Sequence, residues 1–453
     1  IICFSLISLL FLDFTGTLHV WFGWLAKIQF LPALLALNVG VILSLLLLTL
    51  LFGRIYCSVI CPLGVFQDII AWFGKRGKKL PYTYSRALSW LRYGILIVFI
   101  IAVLAGVGSF VALLAPYSSY GRIISNLFAP LYQLGNNMFA YLAERAESYA
   151  FYEVDVWVKS LSTFIIALIT FGVLVFLAWR NGRTYCNTIC PVGTFLGIIA
   201  KYSLFKPVID VSKCNSCGLC ARHCKAACID SKKHKIDYSR CVVCLDCLDK
   251  CRHGAIKYMR RSAVKDKISS PVVTQDQIDS ARRNFLSVSA LFAATTVIKA
   301  QEKKVDGGLA VIEDKKIPNR VVALTPPGSL SVRNFAKHCT ACQLCVSVCL
   351  NQVLRPSGSL MTLMQPEMSY ERGYCRPECT KCSEVCPAGA IRPISVSEKS
   401  SIQIGHAVWI KENCVVLTDG VDCGNCFRHC PTGAIQMVPV DADDMDSPKI
   451  PVV

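Results

Sequence analysis

Hydrophobic positions crowd into the first 180 residues of the chain as long uninterrupted stretches, a pattern typical of membrane proteins. The stretches 30–52 and 91–114 exceed the roughly 20 residues that a helix needs to cross a bilayer, and 161–179 is just long enough. A shorter stretch, 1–12, is interpreted as the end of a further span, with a signal peptide as the alternative. The pattern predicts an α-helical membrane domain with four transmembrane helices.

Basic and acidic residues indicate how this domain is oriented. The segment after the second span carries six basic residues, whereas residues 116–159 carry four acidic residues and few cations. Because cytoplasmic loops are enriched in Lys and Arg, the first loop is predicted to be cytoplasmic and the second periplasmic. Arg180 and Arg183 then return the chain to the cytoplasm after the fourth span.

The membrane domain, predicted over residues 1–206, contains an internal repeat with two cysteines in each copy. Residues 53–66 begin Gly-Arg-Ile-Tyr-Cys and residues 182–195 begin Gly-Arg-Thr-Tyr-Cys, and each copy continues to a second cysteine followed by proline. Duplicated halves can pack about a pseudo-symmetry axis. We expect one shared iron–sulfur cluster, with metal-free dithiols as the alternative. The four predicted ligands are Cys57, Cys61, Cys186 and Cys190.

The next segment carries two cysteine runs that are typical of bacterial two-cluster ferredoxins. Both runs have the spacing C-x2-C-x2-C-x3-C, in which the fourth cysteine binds the neighbouring cluster. Zinc ribbons, which also use C-x2-C pairs, are the alternative. Two [4Fe-4S] clusters are therefore predicted in a small α+β domain, residues 207–262. The expected groups are Cys214, Cys217, Cys220 with Cys251, and Cys241, Cys244, Cys247 with Cys224.

The C-terminal region adds twelve cysteines, which by count bind three further [4Fe-4S] clusters. Because ferredoxin runs exchange their fourth cysteine in pairs, three runs leave the grouping of these ligands open. Cys3 and Cys228 stand outside every set, Cys3 as an ordinary apolar residue and Cys228 as a candidate spare ligand. The twelve predicted ligands are Cys339, Cys342, Cys345, Cys349, Cys375, Cys379, Cys382, Cys386, Cys414, Cys423, Cys426 and Cys430.

A basic segment and a weakly apolar run separate the two ferredoxin-like regions. Residues 280–286 read Ser-Ala-Arg-Arg-Asn-Phe-Leu, which is similar to a twin-arginine export motif, and residues 285–298 are apolar. An amphipathic linker helix with surface arginines is the alternative. The export interpretation makes 263–300 a linker and membrane anchor, and it predicts a periplasmic polyferredoxin domain over residues 301–453.

Together these motifs resemble two families joined in one chain. The paired C-x3-C-P sites, the run from Cys214 to Cys251 and the Ile-Gln-Phe-Leu-Pro motif at 28–32 resemble the NapH-type membrane ferredoxins. The Arg-Arg-Asn-Phe-Leu motif, the C-terminal runs and Ile-Gly-His-Ala-Val at 404–408 are similar to the NapG/MauM-type exported polyferredoxins. The resemblance implies a multi-pass protein of the bacterial inner membrane that oxidises quinol and passes electrons to a periplasmic reductase or carrier.

The sequence also bounds the substrates and partners. Four candidates for a quinol site lie near the predicted periplasmic boundary, and each is also explained as an interfacial residue: Asp13, His19, Tyr117 and Tyr120. No C-x2-C-H haem motif and no G-x-G-x-x-G fingerprint occurs, so haem, flavin and nicotinamide are not predicted. The net charge of +18 is assigned to membrane lipid and acidic redox partners rather than to nucleic acid.

Three functions compete for such a chain. The preferred one is a quinol dehydrogenase subunit, which belongs to the oxidoreductases as an electron-transfer component and draws on the quinone pool. The second is a transmembrane conduit that carries electrons outward from a cytoplasmic ferredoxin or flavoprotein. The third is a redox maturation factor for a metalloenzyme. Only the first responds to quinol, and C-x3-C-P dithiols without iron would favour the third.

Overall fold

The computed structural model describes residues 2–13, 15–76, 82–148, 150–260, 323–371, 373–430, 433–441, 444 and 447–452. The chain divides into two compact units, which are described separately. Unit 1 comprises residues 1–268 and 322–404, and unit 2 comprises residues 269–321 and 405–453. The predicted twin-arginine motif and membrane anchor at 263–300 lie outside the described residues. The predicted domain 301–453 is thus shared between the two units, and its boundaries stay predictions.

Apolar helices dominate the first 200 residues of unit 1. Leu161–Asn181 has 21 residues and is the one helix within the described ranges that is both long and apolar enough to cross a membrane. At a rise of 1.5 Å per residue it extends over about 30 Å. The helices of this part are α1 (Ile2–Leu12), α2 (Thr17–Phe22), α3 (Trp24–Lys27), α4 (Phe30–Leu35), α5 (Val39–Phe52), α6 (Tyr56–Val59), α7 (Pro62–Arg76), α8 (Ser89–Ala105), α9 (Gly108–Leu114), α10 (Pro116–Ile123), a π-helix (Ile124–Phe128), α11 (Ala129–Arg145), α12 (Leu161–Asn181), α13 (Thr184–Thr188) and α14 (Pro191–Ala200).

Two of the predicted spans are interrupted. The stretch 30–52 is divided into α4 and α5 by Leu37, at φ +53°, and by Asn38, whose side chain caps α5 by accepting a hydrogen bond from Val41. The stretch 91–114 is divided at Gly106, which ends α8 in the left-handed conformation at φ +75°. Four uninterrupted transmembrane helices are therefore not confirmed, because the apolar pattern continues through residues that turn the backbone.

Two small α+β modules complete unit 1. In the first, module A (residues 205–260), the first and last strands pair antiparallel, with Phe205 opposite Arg260 and Ile209 opposite Ile256. Module B (residues 323–404) holds one antiparallel pair and four helices. The elements of module A are β1 (Phe205–Ile209), α15 (Leu219–His223), β2 (Ile229–Asp230), β3 (Lys235–Ile236), α16 (Asp246–Asp249) and β4 (Ile256–Arg260). Those of module B are α17 (Val332–His338), α18 (Leu344–Ser347), β5 (Leu354–Pro356), β6 (Pro366–Met368), α19 (Lys381–Val385) and α20 (Val396–Ser401).

Modules A and B contact opposite ends of the same three helices, α5, α8 and α12. Module A contacts the end of α5, the start of α8 and the residues just after α12. The hydrogen bonds run from Tyr258 Oη to Phe52 O (3.1 Å), from Arg92 Nη1 to Ser239 Oγ (3.2 Å) and from Arg183 N to Lys225 O (2.9 Å). Module B contacts residues that flank the opposite ends of the helices. Ala36, three residues before α5, packs against Gly389, and Gly106, at the end of α8, packs against Lys337. Lys159, two residues before α12, donates from Nζ to Val346 O at 3.2 Å. The helices therefore separate the two modules.

Unit 2 contributes a small cysteine-containing fold. It contains a short 3-10 helix, Lys411–Asn413, and the helices α21 (Val415–Thr418) and α22 (Asn425–Arg428). An antiparallel pair of strands, β7 (Gln436–Pro439) and β8 (Lys449–Val452), follows.

Candidate iron–sulfur centres

Each copy of the internal repeat holds its two cysteines on either side of a helix break. Cys57 lies in α6 and Cys61 directly precedes Pro62, the first residue of α7. In the second copy Cys186 lies in α13, and Cys190 caps α14. Proline is tolerated at a first helical position because its missing N–H would have no partner there. All four thiols are only 3–4% exposed. Cys190 lies near enough to the other three to interact electrostatically with each of them, and the four together are termed here the four-thiol site.

The arginine of each copy crosses to the cysteine of the other copy. Arg183 donates from Nη1 to the carbonyl oxygen of Cys57 at 2.6 Å. Reciprocally, Arg54 donates from Nη2 to the carbonyl oxygen of Cys186 at 3.3 Å. Both guanidinium groups are fully buried. The sequence repeat is thus also a repeat of contacts, in which each half holds the backbone of the other half's first cysteine.

Hydrogen-bond donors also point at the sulfur atoms of the four-thiol site. Such donors favour the thiolate form, and they are a means by which proteins tune iron–sulfur centres. The donors are Gln67 Nε2 to Cys186 Sγ (3.1 Å), Gly193 N to Cys190 Sγ (3.3 Å) and Arg54 Nη2 to Cys57 Sγ (3.8 Å). Four buried thiols with N–H donors and two cations are a donor set that suits an anionic iron–sulfur cluster.

The ligand loops of modules A and B share an uncommon backbone conformation. In three runs the residues two and four positions after the first cysteine have positive φ angles, from +51° to +73°: Ser216, Gly218, Val243, Leu245, Ala341 and Gln343. A β-branched valine in this region costs on the order of 1–3 kcal/mol, so the surrounding structure must enforce it. Alternating left-handed residues turn successive N–H groups to one side and form a nest, the concave anion site used by many iron–sulfur centres. The loops therefore fit [4Fe-4S] clusters.

The thiols of neighbouring runs come together by exchange of their last cysteine. In module A, Cys224 shares a small cavity with Cys241, Cys244 and Cys247. Cys220 interacts electrostatically with Cys214, Cys217 and Cys251. In module B, Cys386 shares a small cavity with Cys339, Cys342 and Cys345. Cys382 interacts electrostatically with Cys375, Cys379 and Cys349. The first two C-terminal runs, whose grouping the sequence left open, thus pair with each other.

The last run lies in unit 2. Gly424, at φ +64°, directly precedes α22, and Cys426 lies in α22. Left-handed residues precede the ligand helices of modules A and B in the same way. Cys414 caps α21. Cys414, Cys423, Cys426 and Cys430 stay a predicted ligand set. In the part of the chain that the structure describes, no three Cys, His, Asp or Glu side chains lie close enough to share a single metal ion.

Module A contains a ninth thiol beside its eight predicted ligands. Cys228 is 1% exposed, its Sγ lies 3.6 Å from the Sγ of Cys224, and it lines the same small cavity. A hydrogen bond from Cys228 lowers the pKa of Cys224, and the same contact raises the pKa of Cys228. Cys228 therefore acts on a predicted ligand directly.

Helix α10 fills the space between the four-thiol site and module B. All of its residues are buried. On one side, Gly121 packs so tightly that an added Cβ would lie 2.4 Å from the carbonyl oxygen of Cys342. On the other side, the Ser119 side chain lies close to Tyr185, the residue before Cys186. A continuous set of contacts therefore links the two groups of thiols.

The four quinol candidates form two separate groups. Asp13 and His19 are paired, with His19 Nδ1 3.3 Å from Asp13 Oδ2. Burial raises the pKa of Asp13, but hydrogen bonds from Thr15 and from neighbouring residues outweigh burial and lower it; burial lowers the pKa of His19. Tyr117 and Tyr120 lie within α10. The structure thus brings the candidates together in pairs, and their role in quinol chemistry stays a prediction.

A large apolar cavity lies beside module B. Its volume is about 580 Å³, and none of the four sequence candidates lines it. Its walls come from the π-helix, the start of α11, residues 156–159, α12 and the ligand loop of module B, which contributes Gln343.

Sequence reasoning missed the residues that hold the four-thiol site together. By sequence, Arg54 and Arg183 count as loop charges that indicate orientation, yet in the structure both side chains are buried beside cysteines. The signal was present, because each arginine stands three residues before the first cysteine of its copy. The role of Gln67 had no such signal, since it is set by a contact across 119 residues.

The four-thiol site and the ferredoxin-type ligand loops together are typical of an iron–sulfur electron-transfer protein. A sequence profile for a family described as "4Fe-4S binding domain" matches residues 34–81 and 163–211, which contain the two copies of the repeat. The chain is similar to ferredoxin-type electron-transport proteins, and the matched profile supports iron–sulfur binding.

Three relatives illustrate this family. The chain is 28% identical over 241 residues to the ferredoxin-type protein NapH of Haemophilus influenzae, covering 51% of this chain and 70% of that protein. It is 24% identical over 229 residues to the putative electron transport protein YccM of Escherichia coli, covering 49% and 55%. It is 28% identical over 124 residues to the methylamine utilization ferredoxin-type protein MauM of Methylobacillus flagellatus, covering 27% and 52%. The chain thus spans about half to two thirds of these relatives, and no solved structure matches it.

Proposed function

We propose that this chain carries electrons across the bacterial inner membrane, between module A at one end of the helices and module B at the other. The observation that carries the proposal is that residues at or beside one end of α5, α8 and α12 contact module A, and residues at or beside the opposite ends contact module B. The longest of these helices extends over about 30 Å, the thickness of the hydrocarbon core. Module A then faces the cytoplasm and module B the periplasm.

The four-thiol site serves in this proposal as the centre within the membrane. Cys57, Cys61, Cys186 and Cys190 would hold one [4Fe-4S] cluster, and the match of the "4Fe-4S binding domain" profile to both repeat copies supports this. The cluster would supply one-electron redox chemistry. The protein's own residues bury the site, direct N–H donors to its sulfurs and surround it with arginines.

Contacts on both sides connect the four-thiol site with the ligand loops of modules A and B. Towards module A, Ser58 donates to the carbonyl oxygen of Val242, the residue after Cys241, at 2.7 Å. Towards module B, α10 contacts Tyr185 through Ser119 and the Cys342 loop through Gly121. A topology drawn from hydropathy alone leaves most of the bilayer between these centres, whereas in the structure the buried α10 contacts residues beside both of them.

Quinol oxidation, the function preferred from sequence, is the second candidate. The specific observation in its favour is the apolar cavity beside the module B ligand loop, since a quinone ring needs an apolar slot with a few polar groups. In this case the quinone pool would exchange electrons with module B, and a redox partner in an electron-transfer complex would take them on.

Vectorial electron transfer tests the proposal. The full chain, with its clusters and counted iron, is reconstituted into liposomes that contain ferricyanide, and dithionite is added outside. We expect ferricyanide to be reduced much faster than in empty liposomes. The quadruple variant of the four-thiol site, with serine at Cys57, Cys61, Cys186 and Cys190, should lose the iron of one cluster and slow the transfer at least tenfold.

Cys3→Ser provides the matched control, because Cys3 is a thiol of the helical domain that belongs to no predicted ligand set. This variant should keep both iron content and rate. In detergent, dithionite should still reduce the remaining clusters of the quadruple variant, which separates a broken path from a misfolded protein. Transfer at the wild-type rate by the quadruple variant would refute the proposal.

A further inference from the structure

We propose that the apolar cavity beside module B binds the ring of an isoprenoid quinone, with Gln343 and Ser125 as its hydrogen-bond donors. The inference rests on the quinol-oxidising candidate of the proposed function and names its site. It differs from the site suggested by sequence, because Asp13, His19 and the tyrosines of α10 lie outside the cavity.

Two polar groups of the cavity wall lack partners. Gln343 Nε2 and Ser125 Oγ are buried, and neither has a hydrogen-bond partner among the described residues. Gln343 is 2% exposed, and its Oε1 already accepts a hydrogen bond from Asn126 Nδ2 at 2.7 Å. This bond fixes the amide so that Nε2 is the free donor. Because buried donors are normally satisfied, the cavity calls for a ligand that offers acceptor oxygens.

The rest of the cavity suits a flat apolar ring with an isoprenoid tail. Aromatic side chains line it, among them Phe128, Phe164 and Phe171. Its volume of about 580 Å³ lies within the range of small-molecule sites. Leu131 and Leu168, which also line it, are 64% and 51% exposed, so apolar side chains surround the opening as they would towards lipid.

The polar groups favour a neutral quinone over the phosphate of a lipid. The cation that lines the cavity, Lys159, already donates to the carbonyl oxygen of Val346 at 3.2 Å. The free donors are an amide and a hydroxyl, which match carbonyl oxygens without adding charge. An anion would require a cation without a partner in this apolar surrounding.

The position of Gln343 connects the cavity with a predicted cluster site. Gln343 follows Cys342 directly and lines both the apolar cavity and the small cavity formed by Cys339, Cys342, Cys345 and Cys386. A ring bound to its amide would therefore lie next to a ligand loop. Ser125 belongs to the π-helix, an element that is rare and often marks functional sites.

Photoaffinity labelling tests the site without requiring turnover. The full cluster-loaded chain in lipid nanodiscs is irradiated with an azido-naphthoquinone, and the labelled peptides are identified by mass spectrometry. We expect label within residues 125–133 or 156–159. Gln343→Met, which keeps the side-chain size but removes the donor, should weaken binding about fivefold. Ala129→Trp, which fills the cavity, should reduce labelling more than tenfold.

Leu134→Phe is the matched control, since Leu134 lies on the same helix as Ala129, is 55% exposed and does not line the cavity. Iron content must stay unchanged in all variants. The inference would be overturned if the label appeared elsewhere in the chain, or if both cavity variants were labelled as strongly as the parent. It would also be overturned if phosphatidylglycerol displaced the probe as readily as menaquinone does. Transfer from dithionite to ferricyanide uses no quinone, so the inference can fail while the transmembrane path stands.

Discussion

Arg183 provides a sharp test of how the two repeat copies are held together. Its Nε and Nη2 donate to the two carboxylate oxygens of Asp68 at 2.7 and 2.6 Å, and its Nη1 donates to the carbonyl oxygen of Cys57. Breaking a buried ion pair by removing one partner costs roughly 3–5 kcal/mol. Asp68 is 20% exposed and Lys225 lies 3.5 Å from it. We therefore expect Arg183→Met to cost about 3 kcal/mol, near the lower end of that range.

The assay is an unfolding titration with sodium dodecyl sulfate in mixed micelles, followed by circular dichroism, with iron counted in each sample. Arg180→Met is the control, because Arg180 belongs to the same segment and is exposed, so its loss should change stability by less than about 0.5 kcal/mol. The double variant Arg183→Met, Asp68→Leu should be more stable than Arg183→Met alone, since it removes a carboxylate that would keep only the weaker Lys225 contact at 3.5 Å. An Arg183→Met midpoint that matches the Arg180→Met midpoint would refute the reasoning.

Three further predictions follow from local contacts. Gly64→Ala should destabilise the protein by about 1–3 kcal/mol, because the new Cβ would lie 2.1 Å from the carbonyl oxygen of Cys57. Gly172→Ala is the control, because Gly172 lies in open space on α12 and its substitution should cost nothing. The unfolding titration with sodium dodecyl sulfate measures both variants. Cys228→Ala should keep the iron of module A but lower the reduction potential of the cluster at Cys224, because a hydrogen-bond donor to the sulfur is lost. A redox titration followed by electron paramagnetic resonance measures this potential. Loss of iron would instead make Cys228 a ligand. Burial raises the pKa of Asp237, but hydrogen bonds from neighbouring serine and arginine side chains outweigh burial and lower it. The ionised Asp237 therefore stabilises the protein at pH values above its unfolded-state pKa of about 4, and this stabilisation is lost as the pH falls through its folded-state pKa. The difference in free energy of unfolding between Asp237→Asn and the parent should accordingly shrink below about pH 4.

Local chemistry made the ligand loops predictable. Three thiolates can surround a cubane only when the intervening residues turn the chain, so the C-x2-C-x2-C spacing already implies a loop such as the one with Val243 and Leu245 at positive φ. The internal repeat was equally visible, because the same fourteen positions recur. In both cases the determining contacts lie close in sequence or are duplicated in it.

Long-range packing was not predictable in this way. Hydropathy measures the length of an apolar stretch, and it does not register that Gly106 turns the chain between α8 and α9. The docking of module B depends on contacts between distant segments, such as Asn126 with Gln343, 217 residues apart. The grouping of the C-terminal cysteines followed from that packing, and a count of runs could not supply it.

The buried charge of Arg122 bears on whether both groups of thiols carry clusters. Arg122 is fully buried in α10; its Nη1 donates to the carbonyl oxygen of Ala112 at 2.8 Å and its Nη2 to Ser119 Oγ at 3.1 Å. Within the described residues no carboxylate pairs with it, and its Nε has no partner. A buried guanidinium without a counter-charge costs several kcal/mol. Its electrostatic neighbours are Tyr185, beside the four-thiol site, and Cys342, in the ligand loop of module B. Anionic clusters at both places would offset this cost, and the same positive charge would stabilise an electron that passes between them.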